Sequence, residues 1–228
     1  MSSILQSSVG RKILMGVTGI FLMLFLVIHL AVNSLLMFDS TGELFNRGAH
    51  FMATNPMIRI IEPILGLSFL LHIMYGVILS IRNMSARPVA YNKMDQSKAS
   101  TWSSRNMFLL GGWIFAFLVI HLVNFYFKLK FGEVPDVTYG AGSESVTMHD
   151  SYTLVAGLFK AYWWYDVIYI IGGVLLGLHL YHGFGSSLQT MGLNAGPQLK
   201  LYERIGLVYS LIIGGGFAII PLYYLIFS

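Results

Sequence analysis

Cysteine is absent from this 228-residue chain. That excludes disulfides, thiolate iron–sulfur ligands and the C-x-x-C-H attachment of c-type haem. Charge is scarce too: 11% of residues are charged, where soluble domains carry about 25%. With 56% hydrophobic residues, the chain reads as an all-α membrane protein, sized for one compact helical bundle and a single transmembrane domain. The net charge of +4 does not point to nucleic acid, because the basic residues flank apolar runs instead of forming a patch. They read as topology signals. No small-residue cleavage site closes a short apolar region at the N-terminus, and the first apolar run is too long for a signal peptide.

Five long apolar runs are present, at about 13–38, 57–81, 107–127, 162–188 and 205–227. Each is long enough to cross about 30 Å of hydrocarbon at 1.5 Å per residue. Residues 1–10 form a polar lead closed by Arg11 and Lys12. Residues 39–55 form a polar loop, and Pro56 stands where a helix can start. Residues 82–105 form a basic loop, and 128–151 are the longest polar segment. Residues 152–161 are too short to span and suit the membrane interface. Tyr162, Trp163, Trp164 and Tyr165 form an aromatic belt at the start of the fourth run.

Five spans put the termini on opposite sides. One side holds nine basic residues: Arg11, Lys12, Arg82, Arg87, Lys93, Lys98, Arg105, Lys200 and Arg204. The other holds five: Arg47, Arg59, Lys128, Lys130 and Lys160. Two acids, Asp95 and Glu203, lie on the first side and eight on the second. The positive-inside rule predicts a cytoplasmic N-terminus and an external C-terminus.

The sequence FLVIHL occurs twice, at 25–30 and 117–122, an offset of 92 residues. Met15 matches Met107 and Gly19 matches Gly111 at the same offset. Each copy sets a histidine, His29 or His121, deep in an apolar run, and His72 and His179 lie in two others. Counting from the basic flanks, His29 and His121 fall about 25 Å from the inner boundary and His72 and His179 about 15 Å. The four thus form two layers with two helices contributing to each. A b-type haem takes two axial imidazoles from opposite faces. This arrangement offers an outer pair, His29 with His121, and an inner pair, His72 with His179, so four of the five helices would supply haem ligands.

One intramembrane histidine is as readily explained by a hydrogen bond across the bundle. Four, one per helix, in two layers and within a repeated sequence, point to a cofactor. Metal sites gather ligands at one place, usually with carboxylates, and no carboxylate is expected near mid-membrane. Gly16, Gly19, Gly66, Gly76, Gly111, Gly112, Gly172, Gly173 and Gly177 lie within a few turns of the histidines. They suit either a flat macrocycle against the backbone or plain helix packing. His182 competes with His179, which matches the depth of His72 better; His182 is assigned to a propionate, a quinone or polar filler. His50 and His149 fall in outer loops.

The first run reads Ser8-x-x-Arg11-Lys12-x-x-Met15-x-x-Thr18-Gly19, then Phe25-x-x-x-His29-x-x-x-Asn33. The third reads Ser104-Arg105-x-Met107 and then His121. The fourth ends His179-Leu180-Tyr181-His182-Gly183-Phe184-Gly185-Ser186, followed by Gln189-Thr190-Met191-Gly192-Leu193-Asn194. Across essentially its whole length the chain resembles the cytochrome b membrane-anchor subunit of succinate dehydrogenase or fumarate reductase, in the five-helix, di-haem class. The resemblance implies two haem b groups and agreement on His179 as the fourth-span ligand. It implies a flavoprotein subunit holding FAD and the dicarboxylate site, and an iron–sulfur subunit on the cytoplasmic face of a bacterial inner membrane. It also implies a quinone, menaquinone being the expected species. The long 128–151 segment departs from some members. So do Gly177 and Leu178, which stand where a member with transmembrane proton transfer has a carboxylate beside the ligand.

On this reading the chain has no dicarboxylate site of its own and carries electrons between the iron–sulfur subunit and the quinone. Arg11, Lys12, Arg82 and Arg105 are candidates for haem propionates or the head subunits, or are ordinary topology charges. For the quinone, Asn33, His50 and Glu62 are outer candidates; Ser8, Trp102 and His182 are inner ones. Glu62 interrupts an apolar run and equally suits pairing with Arg59. Two rivals stand: the cytochrome b of a formate dehydrogenase or hydrogenase, and a haem-free anchor or transporter.

Overall fold

The computed structural model describes residues 7–85, 105–193 and 198–227. Arg87, Lys93, Asp95, Lys98, Trp102, Ser104 and Asn194 lie outside these. Helix α1 spans Ser8–Ser34, α2 Glu43–Thr54, α3 Pro56–Ser85 and α4 Met107–His121, which runs on through a π-helical turn, Leu122–Tyr126, into α5, Phe127–Phe131. Then come a hairpin, β1 Asp136–Tyr139 and β2 Val146–His149, α6 Ser151–Ala161, α7 Trp163–Thr190 and α8 Leu199–Phe227. Five segments are long and apolar enough to cross a membrane: Val9–Met37, Pro56–Asn83, Met107–Phe131, Trp163–Thr190 and Leu199–Phe227. The protein is therefore an all-α multi-pass membrane bundle. Its spans exceed the sequence expectation at several ends because polar residues continue the helices. The Ser7 hydroxyl accepts from Gly10 N at 2.9 Å, so α1 begins inside the supposed polar lead. Asn55 Oδ1 accepts from Met57 N at 2.9 Å and starts α3 at Pro56.

Helices α1 and α8 run parallel, with Tyr209 Oη donating to Met23 O at 2.7 Å and Tyr224 Oη to Leu36 O at 3.1 Å. The tightest packing is α7 on α8. A Cβ on Gly173 would lie 2.8 Å from Ala218 N, and one on Gly214 2.6 Å from Gly177 Cα. Small residues four apart on both helices let the backbones touch, which is how helices associate where no hydrophobic drive exists between them. Gly173 and Gly177 are thus packing glycines.

One end of the bundle carries Arg11, Lys12, Arg82, Arg105, Lys200 and Arg204 and is called here the basic end. The other is capped. Segments expected as an outer loop, a polar stretch and an interfacial segment fold together over it as α2, the β-hairpin and α6. Asn46 locks them. It is fully buried, donates to Tyr139 Oη at 2.9 Å and Asp150 Oδ1 at 3.1 Å, and accepts from Tyr152 N at 2.7 Å. Under the cap sits the main buried cluster, including Leu36, Phe45, Phe125, Val155, Phe159, Tyr169 and Tyr224. Helix α6 buries Val155, Ala156 and Phe159 against the bundle end, so it is a packed lid helix and not a free interfacial one. Tyr162 and Trp163 stay exposed beside it.

Candidate functional site

Two pairs of imidazoles lie one above the other along the bundle axis. His29 of α1 faces His121 of α4, with ring centroids 5.7 Å apart and planes at 88°. Nearer the basic end, His72 of α3 faces His179 of α7, at 6.3 Å and 68°. Each FLVIHL copy supplies its own shelf: Phe25 stacks on His29 at 5.1 Å and Phe117 on His121 at 6.2 Å. A phenylalanine four residues before a histidine lies one turn below it on the same helical face, so the motif's spacing makes the contact.

Two glycines matched by the 92-residue repeat have matched roles. A Cβ on Gly19 would lie 3.4 Å from His72 Cε1, and one on Gly111 3.8 Å from His179 Cε1. Helix α1 therefore shelters the α3 histidine and α4 the α7 histidine. The bundle core is two equivalent helix pairs, each with a glycine ten residues before its own outer histidine. Thr18 Oγ1 donates to Leu14 O at 2.8 Å and stands 3.4 Å from His72 Nδ1. Asn33 Nδ2 donates to His29 O at 2.8 Å and stands 3.4 Å from its Nδ1. His179 Nδ1 is buried and has no hydrogen-bond partner among the described residues, an uncompensated burial that leaves it available to a ligand.

The repeat breaks just after His121, where the helix widens into its π-turn. That turn buries Asn124 and Phe125, and Asn124 Nδ2 donates to Tyr169 Oη at 3.3 Å. Single π-turns recur at functional sites because they re-aim the residues that follow. Tyr169 lies 6.3 Å from the His121 ring and 5.0 Å from Phe117. Asn124 and Tyr169 escaped the sequence reading; an asparagine three residues past the second histidine, against four past the first, was the available signal. Asp166 escaped it as well. It is 1% exposed in the first turn of α7, with Oδ1 lacking a partner among the described residues. An acid directly after the aromatic belt was its only trace.

The remaining candidates divide. Glu62 does not pair with Arg59: it accepts from Tyr126 Oη at 2.6 Å and Lys130 Nζ at 2.8 Å across to the third span, while Arg59 Nε donates to Ala53 O at 3.1 Å. Among the described residues no hydrogen bond joins Asn33, His50 and Glu62; His50 accepts through its carbonyl from Thr54 at 2.8 Å. His182 is half-buried one turn beyond His179 and makes no hydrogen bond among the described residues. Arg11 is partly buried, while Arg82 and Arg105 are exposed at the basic end. His149 sits on the hairpin, 2.8 Å from Asp136 Oδ1. Among the described residues no three His, Cys, Asp or Glu side chains gather at one point, so these are two-ligand sites or none.

No family model, curated protein or solved structure matches the chain.

Proposed function

We propose that the chain is the di-haem b membrane anchor of a succinate:quinone oxidoreductase, acting as succinate dehydrogenase or fumarate reductase in a bacterial inner membrane. The observation that carries this reading is the pair of histidine pairs. Two imidazoles sharing one metal ion would have centroids roughly 6–6.5 Å apart, taking metal–nitrogen bonds of about 2.0–2.1 Å; His72 and His179 stand at 6.3 Å, inside that range, and His29 and His121 at 5.7 Å, slightly short of it. Glycine beside His72 and His179 leaves room for a flat ring system against the backbone. The sequence motifs support the choice of family over a formate dehydrogenase or hydrogenase cytochrome.

On this reading His72 and His179 hold the haem nearer the basic end, and His29 and His121 hold the one under the cap. Bound there, the haems supply one-electron transfer. The protein orients the imidazoles through Phe25, Phe117, Thr18 and Asn33, and its cap keeps water from the outer pair. The basic end, with Arg11, Arg82 and Arg105, faces the cytoplasm and receives the iron–sulfur and FAD-bearing subunits or the propionates. A charge moved across the whole span is worth about 2.3 kcal/mol per 100 mV, so two stacked sites couple electron transfer to the membrane potential. The quinone, menaquinone on this reading, is reduced or oxidised at the lipid-facing surface, with Glu62 and its Tyr126 and Lys130 partners as the strongest polar cluster there and His182 as the one at the other end. The test is the pyridine haemochrome and the reduced-minus-oxidised spectrum of the purified chain. Two b-type haems, one lost in His29→Ala and the other in His72→Ala, support the proposal. A folded protein with no haem rejects it in favour of an anchor or transporter, and haem with formate dehydrogenase or hydrogenase subunits selects the rival cytochrome.

A further inference from the structure

Helices α1 and α4 carry the repeat, but around the histidines their chemistry differs. At the offset of 92 residues Thr18 of α1 matches Leu110 of α4. Four residues past the outer histidines stand Asn33 and Phe125. In both comparisons the α1 residue is polar and its α4 counterpart apolar.

At the inner level Thr18 Oγ1 stands 3.4 Å from His72 Nδ1. Its own hydrogen is spent on α1, with Leu14 O at 2.8 Å and Met15 O at 3.2 Å. The hydroxyl can therefore only accept from the ring, which puts the ring proton on Nδ1 and leaves the Nε2 lone pair free. The Met15 backbone hydrogen-bonds the same ring. His179 has matching surroundings without the hydroxyl. Both histidines follow a leucine, Leu71 or Leu178, and stand four residues before a glycine, Gly76 or Gly183. Gly19, just past Thr18, shelters one ring, and Gly111, just past Leu110, shelters the other. Leu110 is 2% exposed, and its side chain has no polar atom. His179 Nδ1 stays buried with no partner among the described residues. The outer level divides in the same way: Asn33 Nδ2 lies 3.4 Å from His29 Nδ1, whereas Phe125 packs on the His121 ring at 5.5 Å.

A metal-bound imidazole normally donates its second N–H, and that bond fixes the ring and raises its basicity. We infer that Thr18 is a positioning residue for the inner site. It fixes His72 as an Nε2 ligand of raised basicity, and the leucine at 110 leaves His179 the weaker, unfixed one. A more basic ligand favours the ferric state, and hydrogen bonding around an axial ligand is one of the protein's levers on a haem potential. An acceptor for both rings therefore lowers the inner potential, and an acceptor for neither raises it. This inference rests on the haem reading proposed above.

The test is a redox titration of the purified full-length protein with whatever subunits stay bound. It follows the haem that His72→Ala removes, together with the ferric electron paramagnetic resonance signal of that haem. Leu110→Thr installs the missing acceptor and is expected to lower the midpoint potential and shift the signal. Leu110→Val has the same shape without the hydroxyl and is expected not to lower it. Thr18→Val is expected to raise the potential, and Thr18→Ser to keep the wild-type value. The haem that His29→Ala removes is expected to keep its potential throughout. Equal potentials in Leu110→Thr and Leu110→Val overturn the inference, as does a Thr18→Val protein that titrates like Thr18→Ser. Where Leu110→Thr folds poorly or loses haem, the two Thr18 variants decide alone. A folded wild type without haem overturns this inference and the proposed function together. A haem-loaded protein whose potentials ignore all four substitutions overturns this inference alone.

Discussion

Replacing Gly19 or Gly111 tests whether the repeat builds matched shelters for His72 and His179. At Gly19 an added Cβ would stand 3.4 Å from His72 Cε1 and 3.7 Å from Nδ1, a close but ordinary contact. Gly19→Ala is therefore accepted, and the helix gains about 0.5–1 kcal/mol from lost glycine freedom. Gly19→Val is different: its branch atoms reach about 1.5 Å further, so the ring must turn away, at an overpacking cost of about 1–3 kcal/mol. At Gly111 the corresponding contact is 3.8 Å, so Gly111→Val costs toward the lower end of that range. Gly112 supplies the control, since a Cβ there meets nothing within 4 Å; Gly112→Val is neutral or gains a few tenths of a kcal/mol by propensity. Thermal melting in detergent reads the stability, and the reduced-minus-oxidised spectrum per mole of chain reads the haem that the proposed function assigns to His72 and His179. The expected pattern is a loss of that haem in both Gly→Val variants, with the outer one and the Gly112→Val protein unchanged. Equal behaviour of Gly111→Val and Gly112→Val would refute the geometry. Destabilisation with no haem in any variant, wild type included, would refute the cofactor while leaving the geometry intact.

Two further outcomes follow from packing and charge. Gly173→Val should lower stability by more than Gly19→Val, because its Cβ meets backbone, Ala218 N at 2.8 Å and Gly214 O at 3.0 Å, and backbone cannot rotate away; an equal or higher melting temperature would show that α7 and α8 do not pack through these glycines. At the cap, burial pushes the Asp150 carboxyl up, but the side-chain and backbone hydrogen bonds from Thr153 and the one from Asn46 outweigh it and hold the group below its ordinary value. A depressed folded-state value means the ionised form stabilises the fold. That contribution is complete above about pH 4, near the unfolded aspartate value, and is lost as pH falls through the lower folded one. Cap stability, followed by hydrogen exchange of 43–54 and 151–161, should be flat from pH 7 to about 5 and fall below about 4. Asp150→Asn should shrink that fall without abolishing it, since hydrogen bonds from Leu44 and Thr41 lower Asp39 as well; an unchanged profile would remove Asp150 from the lock. Asn46→Ala should cost about 2–4 kcal/mol at neutral pH, since it leaves the part-buried Tyr152 N–H without its acceptor and strips a donor from a carboxylate.

Membrane character and the five spans could be read from the amino-acid order alone. Composition and the fixed rise of a helix set span length, so it can be counted along the chain. The repeat at 25–30 and 117–122 even carried the Phe25 and Phe117 shelves, because a spacing of four is a contact within one helix. What each glycine does was decided only in three dimensions. Gly19 and Gly111 meet histidine rings while Gly173 and Gly177 meet helix α8, and nothing in the local sequence separates the two groups, since helix rotation and crossing choose the neighbour. The same holds for Glu62. Its sequence neighbour Arg59 bonds a backbone carbonyl, and Lys130, 68 residues away, takes the carboxylate. The cap was hidden because Asn46, Tyr139, Asp150 and Tyr152 look like ordinary loop residues. Their hydrogen bonds exist only once α2, the hairpin and α6 converge over the bundle, closing contacts of up to 106 residues' separation that no local pattern encodes.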